Sequence, residues 1–169
     1  MAWAFLFLGE AKETSVRSSW QGLLRCDMPA TGVSISPTGW GNSMAVNKAH
    51  REFHTLDMSS GWETPEGYPP GVQQKILSGA LDEKHGSGTR TRLLRFAPGT
   101  YTTAPVWHNY WEEVFVLSGE FIVGNDENGQ GGERFPAQTY CCRPPLVVHG
   151  PFKSETGCML YEIHYFDPA

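Results

Sequence analysis

His108 and Glu112 stand four residues apart in the stretch PVWHNYWEEVF, and imidazole and carboxylate are both ligand types for a divalent ion. A spacing of four would set the two side by side on a helix. The surrounding residues disfavour a helix: Pro98, Gly99 and Pro105 precede the pair, and β-branched and aromatic residues fill the segment. In one straight strand the pair would share a face but lie about 13 Å apart, too far for one ion with bonds of about 2 Å. If both are ligands, the chain must bend near Asn109, Tyr110 and Trp111. That requires a ligand-bearing loop between two strands.

The elements that must position them read as strands. The chain carries 19 Gly and 12 Pro, and 12% of it is aromatic, a composition that favours short strands and tight turns over long helices. HREFHTLDM, residues 50–58, reads as a first strand, and residues 59–71 as a Gly- and Pro-rich loop. VQQKILSGAL is a strand, DEKHGSG a turn, and TRTRLLRFA a strand that ends at Pro98-Gly99. EEVFVLSGEFIVG holds two runs of β-formers broken at Ser118-Gly119 and reads as a hairpin. TYCCRPPLVVHGPF is extended, and CMLYEIHYF closes the chain as a strand. Residues 162, 164 and 166 share one face of that strand. If that face lines a cavity, Glu162 and His164 join the site. Short strands recurring every 8–12 residues indicate an all-β sandwich or barrel.

These stretches resemble the two cupin motifs. Glu112 and Gly119 match the E-x6-G end of the first, G-x5-H-x-H-x3/4-E-x6-G, and His108 matches its second histidine. Val106 stands where the first histidine would be, and Gly99 lies one place early. RPPLVVHGP resembles the second motif, P-x-G-x2-H-x3-N, through Pro144 and His149, with Leu146 for the glycine and Lys153 for the asparagine. The resemblance covers about residues 72–166. It implies a double-stranded β-helix, the RmlC-like jelly-roll barrel, with His108, Glu112 and His149 as metal ligands. Two imidazoles and a carboxylate suit Fe(II), the preferred ion, or Zn, Mn or Ni, and leave positions open for water or substrate. Tyr110, His164 and His85 are candidates to replace the histidine missing at 106.

Residues 1–43 show no sustained period, and Met44 opens MAVNKAHREF like a protein start. The expected organisation is an irregular N-terminal extension over 1–43 and a single cupin domain over 44–169. The net charge of −5, with no Lys/Arg cluster, speaks against a nucleic-acid partner. The apolar start MAWAFLFLG is too short to span a bilayer and lacks a basic n-region, so no membrane association and a cytoplasmic location are expected. None of Cys26, Cys141, Cys142 and Cys158 forms a CxxC pair, and reduced cysteines are expected.

The function expected from the resemblance is that of a metal-binding protein, and with it a metal-dependent enzyme on a small organic substrate. Dioxygenase-like cleavage of a carbon–carbon bond is the preferred reaction; with Zn or Mn, where decarboxylation or isomerisation is more natural, Tyr110 or His164 would act as acid or base. A decarboxylase or isomerase is the alternative with Zn or Mn, and a non-catalytic small-molecule binding or sensor module the alternative without catalysis. Trp107, Tyr110, Trp111, Phe115 and Phe121 would form core, dimer surface or a substrate wall, and Arg92, Arg95 or Arg143 could anchor a substrate carboxylate. A homodimer is expected, because cupins commonly pair through sheet edges.

Overall fold

Alternating apolar residues punctuated by glycines produce eight strands in a computed structural model, which describes residues 48–167. The strands are β1 (Val72–Asp82), β2 (Ser87–Phe96), β3 (Thr100–Tyr101), β4 (Trp111–Val123), β5 (Glu133–Pro136), β6 (Tyr140–Arg143), β7 (Phe152–Ser154) and β8 (Cys158–Tyr165). Among the described residues there is no helix. All pairings are antiparallel, in the order β1-β2-β8-β4-β7-β3, with β5 and β6 also on β4. The result is the curled antiparallel sheet of a cupin jelly roll. The expected extension over 1–43 lies outside the described residues.

β4 organises the curl. Its first half pairs with β8 and β6, and its second half with β5 and β7. A bulge between Val116 and Ser118 shifts the register between these halves, and Gly119 follows at φ 74°. A bulge bends a strand and advances its side-chain phase by one residue. Accordingly Glu112, Val114 and Val116 are buried before it, and Phe121 after it. The break at Ser118-Gly119 is therefore a bulge in one continuous strand, not the hairpin expected from the turn residues. The core behind β4 holds Val72, Leu94, Phe96, Val116, Phe121 and Leu160. Burial in β8 alternates strictly, with Cys158, Leu160, Glu162 and His164 inward.

Residues 50–58 do not form the expected first strand. Alternation there would place Arg51 and Phe53 on one face and His50, Glu52 and His54 on the other, so neither face gains by burial, and Phe53 is fully exposed. The segment instead leads to contacts with the outer side of β1 and β2. Lys48 Nζ donates to Thr91 Oγ1 at 2.8 Å, and the Arg95 guanidinium lies 3.9 Å from the Trp62 ring centroid. Among the described residues Cys141, Cys142 and Cys158 are free.

Candidate metal centre

Strand register builds the floor of the site. Arg90 lies opposite His164, His164 opposite Glu112, and Glu112 opposite Arg143, so one residue from each of β2, β8, β4 and β6 forms a row. The adjoining row reads Arg92, Glu162, Val114 and Cys141. Loops supply the two remaining histidines. Before β4 the chain bends at Asn109 and Tyr110, which returns the His108 ring to within 3.7 Å of the Glu112 carboxylate. The loop before β7 lies alongside. Val106 N–H donates to His149 O at 2.8 Å, His149 N–H to Val106 O at 3.0 Å, and Leu146 N–H to His108 O at 2.8 Å. Val106, at the position of the motif's first histidine, thus contributes backbone pairing to His149 and an apolar side chain to the core.

Hydrogen bonds define which ring nitrogens face the cluster. His108 Nδ1 lies 2.8 Å from Tyr110 O, and His149 Nδ1 lies 2.8 Å from Val147 O. A carbonyl only accepts, so each Nδ1 carries the proton and each neutral ring keeps its lone pair on Nε2. His149 Nε2 is 3.4 Å and His108 Nε2 is 3.7 Å from Glu112 Oε2. His108 Nε2 is buried without a hydrogen-bond partner among the described residues. One ligand atom from each of His108, Glu112 and His149 falls within 4.8 Å of the others. Two inward lone pairs beside a carboxylate, one of them orphaned, fit a cation.

Electrostatics favour the forms a cation needs. Burial works against the Glu112 charge, but the neighbouring His108 and His164 rings and the Arg143 guanidinium outweigh it and hold the carboxyl below the usual carboxylate range. Arg143 Nη1 donates to Glu112 Oε2 at 2.8 Å. Burial also pushes His149 below the usual imidazole value, against the Val147 carbonyl, and so favours the neutral ring.

A second cluster adjoins the first. Glu112, Glu162 and His164 also lie within 4.8 Å of one another. His164 is fully buried; its Nε2 is 3.4 Å from Glu112 Oε1 and 3.5 Å from Glu162 Oε2. Arg92 Nε donates to Glu162 Oε2 at 2.6 Å, and Arg92 Nη1 to Gln74 Oε1 at 2.7 Å. Tyr110 stacks on His108 with ring centroids 4.0 Å apart, and burial raises its hydroxyl above the usual phenol value. His85 sits apart from the site, exposed and bonded to Asp82. Of the candidate carboxylate anchors, Arg92 and Arg143 point inward but are engaged by Glu162 and Glu112, while Arg95 bonds Gln73 and covers Trp62.

The family model of the ChrR cupin-like domain matches residues 57–165. The chain belongs to this cupin family. No curated protein matches it by sequence. Among solved structures, the polyketide cyclase RemF from Streptomyces resistomycificus is similar at 16% identity, with a TM-score of 0.52 over 70% of this chain and 82% of its own. An acetylacetone dioxygenase from Acinetobacter johnsonii gives 19% identity and 0.48, over 70% and 78%. The Rhodobacter sphaeroides SigE–ChrR anti-sigma complex gives 24% and 0.42, over 60% and 46%. Likeness at this level concerns the fold alone.

Inside the cupin sheet, a void of about 10 Å³ touches Glu112, Glu162 and Arg143, closed by Tyr68, Leu94 and Phe152. That is room for a single water. An apolar cavity of about 70 Å³ lies beyond, sharing Val114, Phe121 and Arg143. Tyr68 comes from the loop before β1 and was not among the expected site residues. Burial, with the charge of Glu162, lifts its hydroxyl to about 12. The signal that could have marked it is a lone tyrosine inside the Pro-rich PEGYPPG, where a solvent loop has no use for a large ring. Among the described residues, no helix is long and apolar enough to cross a membrane.

Proposed function

We propose that this cupin binds one divalent ion through His108, Glu112 and His149 and uses it to act on a small organic molecule. The convergence of two fixed Nε2 lone pairs on one buried carboxylate carries this reading. Fe(II) is the preferred ion, because two imidazoles, one carboxylate and open positions are the donor set of non-haem iron oxygenases; Zn, Mn and Ni suit the same atoms. Such an ion would supply Lewis acidity and, as iron, a place for O₂. Oxygen-dependent cleavage of a carbon–carbon bond in a diketone or hydroxyketone is the preferred reaction. Charge supports a substrate that binds as an anion. Arg92 and Arg143 are matched by Glu162 and Glu112, Arg90 feels Glu162 and Glu83, and a divalent ion adds two further positive charges among neutral imidazoles. An enolate offsets that excess where uncompensated buried charge is costly. With Zn or Mn in place of iron, Lewis-acid polarisation of a carbonyl would favour decarboxylation or isomerisation, with Tyr110 as the acid–base group.

A non-catalytic small-molecule binding module is the second reading, favoured by the small void at Glu112. Metal analysis of full-length protein purified without a His-tag tests the first. About one metal per chain is expected, lost in His149→Ala. Absence of metal, with no stabilisation on adding Fe(II), Mn, Ni or Zn, would overturn it. Oxygen uptake on a panel of diketones and hydroxyketones then separates enzyme from binding module. A reducing, cytoplasmic setting agrees with the free cysteines. Pairing of two copies through the edge strand β1, which exposes Ile76, is the proposed homodimer, and sedimentation velocity tests it.

A further inference from the structure

The two clusters share Glu112, and three histidines surround it, yet the rings are not equivalent. Their bonding at Nδ1 separates them. His108 and His149 each meet a carbonyl there, whereas His164 meets a guanidinium. Arg90 Nε lies 3.1 Å and Arg90 Nη2 2.9 Å from His164 Nδ1. A guanidinium has five donors and no acceptor, so His164 Nδ1 must accept and the neutral ring must carry its proton on Nε2. The other side of the ring demands the same. Nε2 lies 3.4 Å from Glu112 Oε1 and 3.5 Å from Glu162 Oε2, buried and without a hydrogen bond among the described residues, where a lone pair would face two carboxylates and an N–H faces them favourably. Arg90 is itself kept in place: it pairs with β8 in register, and its Nη2 also reaches the Tyr110 hydroxyl at 3.5 Å.

We propose that Arg90 fixes His164 in the Nε2–H tautomer and thereby makes it a positioning residue for Glu112, barred from the metal. A protonated Nε2 has no lone pair to give an ion. The ring instead sets its N–H dipole against the Oε1 side of Glu112 at 3.4 Å, while Oε2, which accepts from Arg143, is the oxygen nearest His108 and His149. Of the two acidic clusters, one therefore takes metal and the other keeps a proton. This rests on the metal-binding reading for its consequence, and stands apart from it for the tautomer.

The test is long-range ¹⁵N–¹H correlation on full-length protein labelled at its histidine nitrogens, metal-free and then loaded with Zn²⁺. Assignments come from His164→Gln, His149→Gln and His108→Gln. In the metal-free protein, the expected pattern is Nε2–H for His164 and Nδ1–H for His108 and His149. On adding Zn²⁺, the Nε2 signals of His108 and His149 shift and that of His164 keeps its N–H character. An Nδ1–H His164, or a His164 Nε2 that shifts with the other two, overturns the proposal. Should Zn²⁺ fail to bind, the metal-free spectrum still decides the tautomer while the metal reading falls alone. Arg90→Met should weaken Zn²⁺ binding about tenfold, the usual lower effect of removing a group that orients a ligand. Arg90→Lys, which keeps a donor, should recover most of it; equal losses in Met and Lys would assign Arg90 a merely structural part.

Discussion

Replacing Arg92 with Met isolates what holds the inner row together. Arg92 and Glu162 are a buried pair, with side chains only 8% and 4% exposed and Nε 2.6 Å from Oε2. Met keeps the apolar stem and removes the charge, leaving Glu162 beside Glu112 with its main counter-ion gone. Breaking a buried pair from one side costs about 3–5 kcal/mol, because the remaining charge is neither solvated nor paired. With an urea dependence of about 2 kcal/mol/M, the unfolding midpoint should fall by roughly 2 M. The pH dependence gives a second check. In the native protein, burial raises the Glu162 carboxyl, and the Arg92 charge and the His164 donor overcome this, so its value lies below the ordinary one. A depressed carboxyl stabilises the fold above its unfolded value, about 4.3, and loses that stabilisation as pH falls through the folded value. Without Arg92 burial prevails and the folded value rises above the unfolded one. The variant's deficit is then largest at neutral pH and shrinks as Glu162 takes a proton. Urea unfolding of metal-free protein at pH 7 and pH 4.5 should show the gap between Arg92→Met and the native chain narrowing at the lower pH. A loss under about 1 kcal/mol at pH 7, or the same loss at both, would refute the pairing argument.

Three further expectations follow from the same geometry. Gly119→Ala should unfold far more readily than Gly124→Ala: both glycines have positive φ, but a Cβ at 119 runs into the Gly157 carbonyl and lies 2.8 Å from Cys158 Cα, whereas one at 124 meets nothing within 4 Å. The strain alone costs about 1–2 kcal/mol, so Gly124→Ala should lose about that and Gly119→Ala clearly more, as read by urea midpoints. Burial lifts the Cys158 thiol to about 11, so iodoacetamide at pH 8 should label Cys142 and spare Cys158 until the protein unfolds, as read by peptide mass spectrometry. Because that value is raised, its contribution to stability is complete below the unfolded thiol value of about 8.5 and fades as pH rises through about 11. Lys153 is buried, and its Nζ donates to Gly129 O at 2.8 Å and to Glu155 Oε1 at 3.0 Å. Lys153→Met should speed amide exchange over residues 126–130 and cost about 1–3 kcal/mol by orphaning that carbonyl.

What was legible in the chain depended on whether one face of a strand was wet. β8 alternates strictly between buried and half-buried residues, so the face bearing Glu162 and His164 was readable from period alone. β2 buries Thr91 and Leu93 as well as Arg92 and Leu94, because the segment before β1 covers its outer side, and period two cannot then tell which arginines turn inward. Arg90 carries no sequence signal of its inward direction for that reason. β4 misled differently. Its bulge carries the Ser-Gly pair of a hairpin turn, and only the pairing partners on both halves show one strand crossing the sheet. The bend between His108 and Glu112 was required by the spacing, whereas the backbone pairing of Val106 with His149 joins loops more than forty residues apart and leaves no local signal.

The departure at Val106 changes how the site must be reasoned about. With no histidine there, the natural substitute by position is His164, which faces the same carboxylate at 3.4 Å. Distance alone would enrol it as a ligand. The partner at the far nitrogen decides otherwise, since a ring that accepts from Arg90 must present a proton to Glu112. The row Arg90–His164–Glu112–Arg143 therefore turns donor groups toward one carboxylate from both sides, with Arg143 bonded to Oε2 and the His164 ring 3.4 Å from Oε1. Strands fix that row by register, and a slip of one residue in β8 would replace His164 by Ile163 or Tyr165 and leave Glu112 buried with Arg143 as its sole strand-borne partner. Loops bring His108 and His149 to the same oxygen. The carboxylate is set by the sheet, the imidazoles by the loops, and an ion at their meeting point would tie the two together.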